Sequence, residues 1–111
     1  MTYKVEISNK DFKEVLKRTK VNKKLGKANL AIEEVEFEYS SGQLRITVVG
    51  SENILPANGA SAWSTSIPLQ RYQALTKLPP IADPLVIEYD SENSRLKIGT
   101  TVFKSYSSAE I

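Results

Sequence analysis

Polar and apolar residues alternate from residue 2 to residue 7, so Tyr3, Val5 and Ile7 share one face of a predicted strand. The period then lengthens. Phe12, Val15, Leu16 and Thr19 recur at i, i+3, i+4 and i+7, the buried stripe of a helix. Ser8 and Asp11 supply an N-cap with a reciprocal acid, and Gly26 supplies a stop. Alternation returns in AIEEVEFEYSSGQLRITVV. Val35, Phe37 and Tyr39 oppose Glu34, Glu36 and Glu38, SSG turns the chain, and Leu44, Ile46 and Val48 face inward on the return strand. SENILPANGAS is expected to hold one short strand, limited by Pro56 and Gly59.

The order then repeats. AWSTSI is a short strand, and Pro68 suits the first turn of a second helix, LQRYQALTKL, which buries Leu69, Tyr72 and Leu75 and ends at Pro79-Pro80. PLVIEYDSENSRLKIGTTVFKSY reads as strand, turn, strand and strand. Glu38-Tyr39 matches Glu88-Tyr89, and Leu44-Arg45-Ile46 matches Leu96-Lys97-Ile98. The predicted class is α+β, one domain over residues 1–111. It comprises two pseudo-symmetric β-α-β-β-β repeats, about 1–60 and 61–111, with two helices packed on one side of antiparallel sheets.

This arrangement resembles one domain of a DNA sliding clamp of the bacterial polymerase III beta-clamp type. The residues that carry the resemblance are VEISNKDFKEVLKRTK, IEEVEFEYSSGQLRITVVGSE, TSIPLQRYQALTKLPP and LVIEYDSENSRLKIGTTVFK. It implies a ring of six such domains around duplex DNA, with helices lining the hole, and a non-enzymatic role in tethering replication and repair proteins. Known clamps carry two or three domains per chain, so a ring of this chain would be a homohexamer. Rings of the family close by pairing the last strands of neighbouring half-domains, here about residues 52–58 and 101–107. Pro56 argues against that homo-oligomer, because proline cannot donate to a ladder. No residue matches the family's partner-peptide pocket.

Charge sharpens the picture. Residues 1 to 27 hold nine of the 15 Lys/Arg and three of the 13 Asp/Glu, a balance of +6, which leaves −4 for the remainder and +2 overall. On a helical wheel Lys10, Lys13, Lys17, Lys20 and Lys24 fall within an arc of roughly 80°, while Glu14 is placed to pair with Arg18. A lysine stripe tracks phosphates without reading bases, as sequence-independent contact with duplex DNA requires. Arg71 and Lys77 extend the candidate surface onto the second helix. The plainer reading is a solvated helix face, which the glutamates of IEEVEFEY could neutralise.

Other chemistry is thin. The chain has no Cys and no His, which removes thiolate metal sites and the commonest general base. No catalytic, metal or cofactor-binding residue is identified, and the expectation is a non-enzyme. Trp63 and Tyr72 could form a stacking platform but read more simply as core, and the β-strand glutamates read as a wet face. Composition, 41% hydrophobic and 25% charged, fits a folded domain. No apolar run reaches membrane-spanning length, no signal peptide is recognisable, and a cytoplasmic protein is the default. Two functions are therefore expected: a DNA-associated clamp-like protein, or a monomeric interaction module that binds a replication or repair partner without encircling DNA.

Overall fold

The computed structural model describes residues 2–20, 34–48 and 51–106. Strand β1 (Thr2–Ile7) leads into helix α1 (Asn9–Lys20), followed by β2 (Glu34–Ser40), β3 (Gln43–Val48) and β4 (Ser51–Gly59). The second half runs β5 (Trp63–Pro68), two single turns α2 (Leu69–Tyr72) and α3 (Ala74–Lys77), then β6 (Leu85–Asp90), β7 (Arg95–Ile98) and β8 (Thr101–Lys104).

Every ladder is antiparallel, in the order β5-β2-β3-β4-β1-β6-β7-β8. The halves exchange their first strands. β5 pairs with β2 (Val35↔Ile67, Phe37↔Thr65), and β1 pairs with β6 (Val5↔Ile87, Ile7↔Leu85). The β2–β3 hairpin turns through Ser41 and Gly42, both at positive φ (49° and 79°), the backbone that a tight two-residue turn between twisted strands requires.

Two corners join the four-stranded groups. β4 follows β3 from Ser51 to Pro56, then pairs with β1 through Ala57, Asn58 and Gly59. At the other corner Tyr106 exchanges both backbone hydrogen bonds with Ser66 of β5, at 2.8 and 2.9 Å. Gly59 sits against Val5 and Tyr39, whose hydroxyl donates to its carbonyl at 3.0 Å. A Cβ on Gly59 would lie 2.6 Å from Val5 Cγ1 and 2.9 Å from Tyr39 Cε2.

The core lies between the inward faces of the strands and the helices. Phe12 of α1 meets the Tyr72 ring edge-on (6.5 Å), and Tyr72 meets Phe37 of β2 (6.1 Å). Trp63 is buried and stacks on Tyr89 (5.6 Å), which stacks on Tyr3 (5.9 Å), so it is a core residue and not an exposed platform.

Three expectations need correction. β4 is nine residues long, the longest described strand, because Pro56 stands where the ladder changes partner. Antiparallel alternation from the Ala57 N–H bond to Gly42 O (2.9 Å) points the proline nitrogen away from β3, past the end of β1. The second helix is not continuous. The Gln73 carbonyl takes the Thr76 N–H at 3.0 Å and the Thr76 hydroxyl at 2.7 Å, a local competitor to the helical bond. Pro68 is the cap residue that ends β5, one position before the first turn. Gly26 lies outside the described residues.

Gly59→Ala is expected to destabilise the fold by about 1–3 kcal/mol through overpacking at the β4–β1 corner. Thermal unfolding followed by Trp63 fluorescence should show a midpoint lower by roughly 4–8 °C per kcal/mol.

Candidate nucleic-acid interface

Helix α1 is held at its start by four hydrogen bonds. Asp11 N–H donates to Ser8 Oγ at 3.4 Å, the expected cap, and Phe12 N–H donates to Ser8 O at 3.1 Å. Asn9 N–H donates to the Asp83 carboxylate at 3.2 Å, and Asn9 Nδ2 donates to Pro80 O at 2.9 Å. A negative charge from the second half thus sits on the positive end of the helix of the first. No local pattern around Asp83 announces this role.

With Phe12, Val15 and Leu16 buried, Lys10, Lys13, Glu14, Lys17 and Arg18 are exposed. The expected Glu14–Arg18 pair is replaced. Glu14 Oε1 lies 3.5 Å from Lys17 Nζ, both side chains more than half exposed, and such a pair is worth a few tenths of a kcal/mol at most. Arg18 turns instead to β4, where Nη1 donates to Asn53 Oδ1 at 2.9 Å. Asn53 is buried, and its amide nitrogen donates to Ile46 O (3.2 Å) and Ser51 O (3.3 Å). Lys20 closes α1, the described side chains of the helix stop at Arg18, and Lys24 lies outside the described residues.

Arg71 and Lys77 are exposed on α2 and α3, with Gln70 and Ala74 exposed beside them. The rings of Phe12 and Tyr72 bring the two helical segments together on the side of the sheet that Phe37 faces. Lys10, Lys13, Lys17, Arg71 and Lys77 therefore share one layer. The β2 glutamates alternate with Phe37 and occupy the opposite face of the sheet from that layer. Glu38 pairs with Arg45 at 3.4 Å, and Glu34 accepts the Ser66 hydroxyl at 2.6 Å.

The Asp90 carboxylate is held below the ordinary range, first by the Asn93 side-chain amide, then by the Asn93 and Glu92 backbone N–H groups, which is the behaviour of a turn-forming aspartate. Among the described residues no group of three or more acids could hold a metal ion, and no helix is long and apolar enough to cross a membrane.

No protein-family model matches the chain, and no curated protein matches it. Among solved structures, it is similar to a DnaN sliding clamp (DNA polymerase III subunit beta) from Bartonella birtlesii, crystallised with griselimycin, at TM-score 0.64 and 12% identity. The match covers 98% of this chain and 31% of that one. The chain has a sliding-clamp-like fold and spans less than a third of that clamp's length.

Asn53→Ala is expected to cost about 1–3 kcal/mol, because the buried Ile46 carbonyl, the Ser51 carbonyl and the Arg18 guanidinium lose their partner. Arg18→Met, which leaves only the Asn53 carbonyl oxygen unbonded near the surface, should cost less. Denaturant unfolding of the two variants measures the difference.

Proposed function

We propose that this chain is a non-catalytic, DNA-associated clamp-type domain that lays its helix layer on the phosphates of duplex DNA. The observation that carries the reading is the separation of charge between α1 and β2: Lys10, Lys13 and Lys17 on the exposed helix layer, glutamates on the opposite face of β2. Lys10, Lys13 and Lys17 are the principal contacts, with Arg71 and Lys77 at the margin and Lys20 and Lys24 as further candidates from the sequence. Binding should be independent of sequence. With five lysines on phosphates, the slope of log K against log salt is about −4 to −5 per subunit. Lys13→Glu with Lys17→Glu should shallow that slope by about 2 and weaken binding at low salt more than tenfold. Binding that ignores salt, or survives the double reversal, would overturn the proposal.

Self-assembly belongs to the same reading, and two open strand edges support it. Among the described residues, Ser51–Leu55 of β4 pair only with β3, and β8 pairs only with β7. The hydrogen bonds of Ala57 to Gly42 and of Ser105 to Ser94 fix the alternation, so Glu52 and Ile54, and Val102 and Lys104, turn their backbone groups outward. An antiparallel joint between β4 of one copy and β8 of the next sets Ile54 opposite Val102 and Glu52 opposite Lys104. All four are exposed, Ile54 and Val102 at 51% and 54%. Pro56 lies beyond this stretch and does not interrupt it.

The shortness of both edges supports a second reading, a monomeric clamp-fold module that binds a replication or repair protein. Light scattering at tens of micromolar should return about six times 12.4 kDa for the ring. Ile54→Lys should return the monomer at about 1 M salt, where surface charges are screened. A wild-type monomer, with duplex present or absent, would remove edge assembly and favour the second reading.

A further inference from the structure

The outer face of β2 is left unabsorbed by the clamp reading. Glu34, Glu36 and Glu38 stand in a row along it, Ser64 and the half-exposed Tyr106 ring flank it, and together they line a groove of about 230 Å³. Arg45 meets Glu38 at one end, Ser66 bonds Glu34 at the other, and Glu36 between them has no cation within ion-pair distance among the described residues.

The matching surface lies on the far side of the same molecule. From Glu34 to Glu38 the row spans about 13 Å. From Lys10 to Lys17 the stripe on α1 spans about 10 Å. The rows agree in length and oppose in sign, and the Tyr106 ring offers a π-face to a lysine beside the acids. Because the two faces point away from each other, they cannot meet within one copy. They can meet between two.

We infer that the β2–β5 outer face is a docking surface for the lysine-bearing α1 face of a second copy of this chain. The contact is heterologous: each copy offers one row and accepts the other, so association adds copies head to tail. It goes beyond the DNA reading, and duplex DNA competes with it for the same lysines. Chains in excess over DNA therefore store themselves on one another, and phosphate releases them.

Sedimentation velocity on the whole chain tests this. The average mass should rise with concentration at about 0.01 M salt, where charges are felt over about 30 Å, and fall to the value set by edge pairing alone at about 1 M. Glu36→Lys with Glu38→Lys should abolish the rise while duplex affinity persists or increases, since α1 is untouched. Lys13→Glu with Lys17→Glu should abolish both. Ile54→Lys should leave the low-salt rise in place, which separates this contact from the strand edges. The decisive arm mixes the two charge-reversed proteins in the Ile54→Lys background. Each alone should stay monomeric, and together they should associate, because one retains an intact glutamate row and the other an intact lysine stripe. A mixture that stays monomeric, or a glutamate-reversed protein that associates like the parent, overturns the inference. Association of the wild type only with an added basic peptide assigns the face to another partner and overturns it equally.

Discussion

Strand exchange between the halves is the constraint on which the rest of this fold depends. β2-β3-β4 and β6-β7-β8 are three-stranded meanders, and each is completed by the first strand of the other half. Neither half can bury its inward face alone, so Phe37, Ile46, Ile87 and Leu96 reach full burial only in the assembled domain. The helices inherit their placement from the same exchange. α1 leaves β1, which lies in the second half's sheet, and it accordingly packs on Tyr72 and is held at its start by Asp83, both of that half.

Where structure follows from local alternation, the sequence was legible. Val35, Phe37 and Tyr39 face inward on β2, their intervening glutamates face water, and Ser41-Gly42 makes the turn. The exposed lysines of α1 followed from the stripe formed by Phe12, Val15 and Leu16. β4 was harder because Pro56 has two meanings. Within a ladder it would end the strand; at a corner it marks a change of partner, and only the pairing distinguishes them. The break at Gln73 was hidden too, since Leu69, Tyr72 and Leu75 keep helical spacing across it while Thr76 captures the carbonyl.

The contacts that tie the candidate surface to its scaffold were not legible at all. Arg18 and Asn53 are 35 residues apart, and Asn9 and Asp83 are 74 apart. Each pair joins a side chain that looks like ordinary helix or loop surface to a partner chosen by topology. Periodicity reports which face is dry; it carries no information about which distant polar group will be waiting there. The overall likeness to a clamp domain, visible in element order at only 12% identity to a solved clamp, survives because order and burial tolerate substitution far better than such pairs do.

The corner at Pro56 also sets how strongly two copies can be joined. It confines the open edge to Ser51–Leu55, and the outward pairs at Glu52 and Ile54 allow about four backbone hydrogen bonds per joint. At about 0.5–1.5 kcal/mol net each, such a joint yields roughly 2–6 kcal/mol. Bringing two free proteins together costs about 4–15 kcal/mol. An open chain of copies linked this way would barely hold. The last joint of a closed ring forms between ends already tethered, at an effective concentration no free copy reaches. Edge assembly of the kind proposed would thus be all-or-none, passing from single copies to closed rings with few open intermediates between.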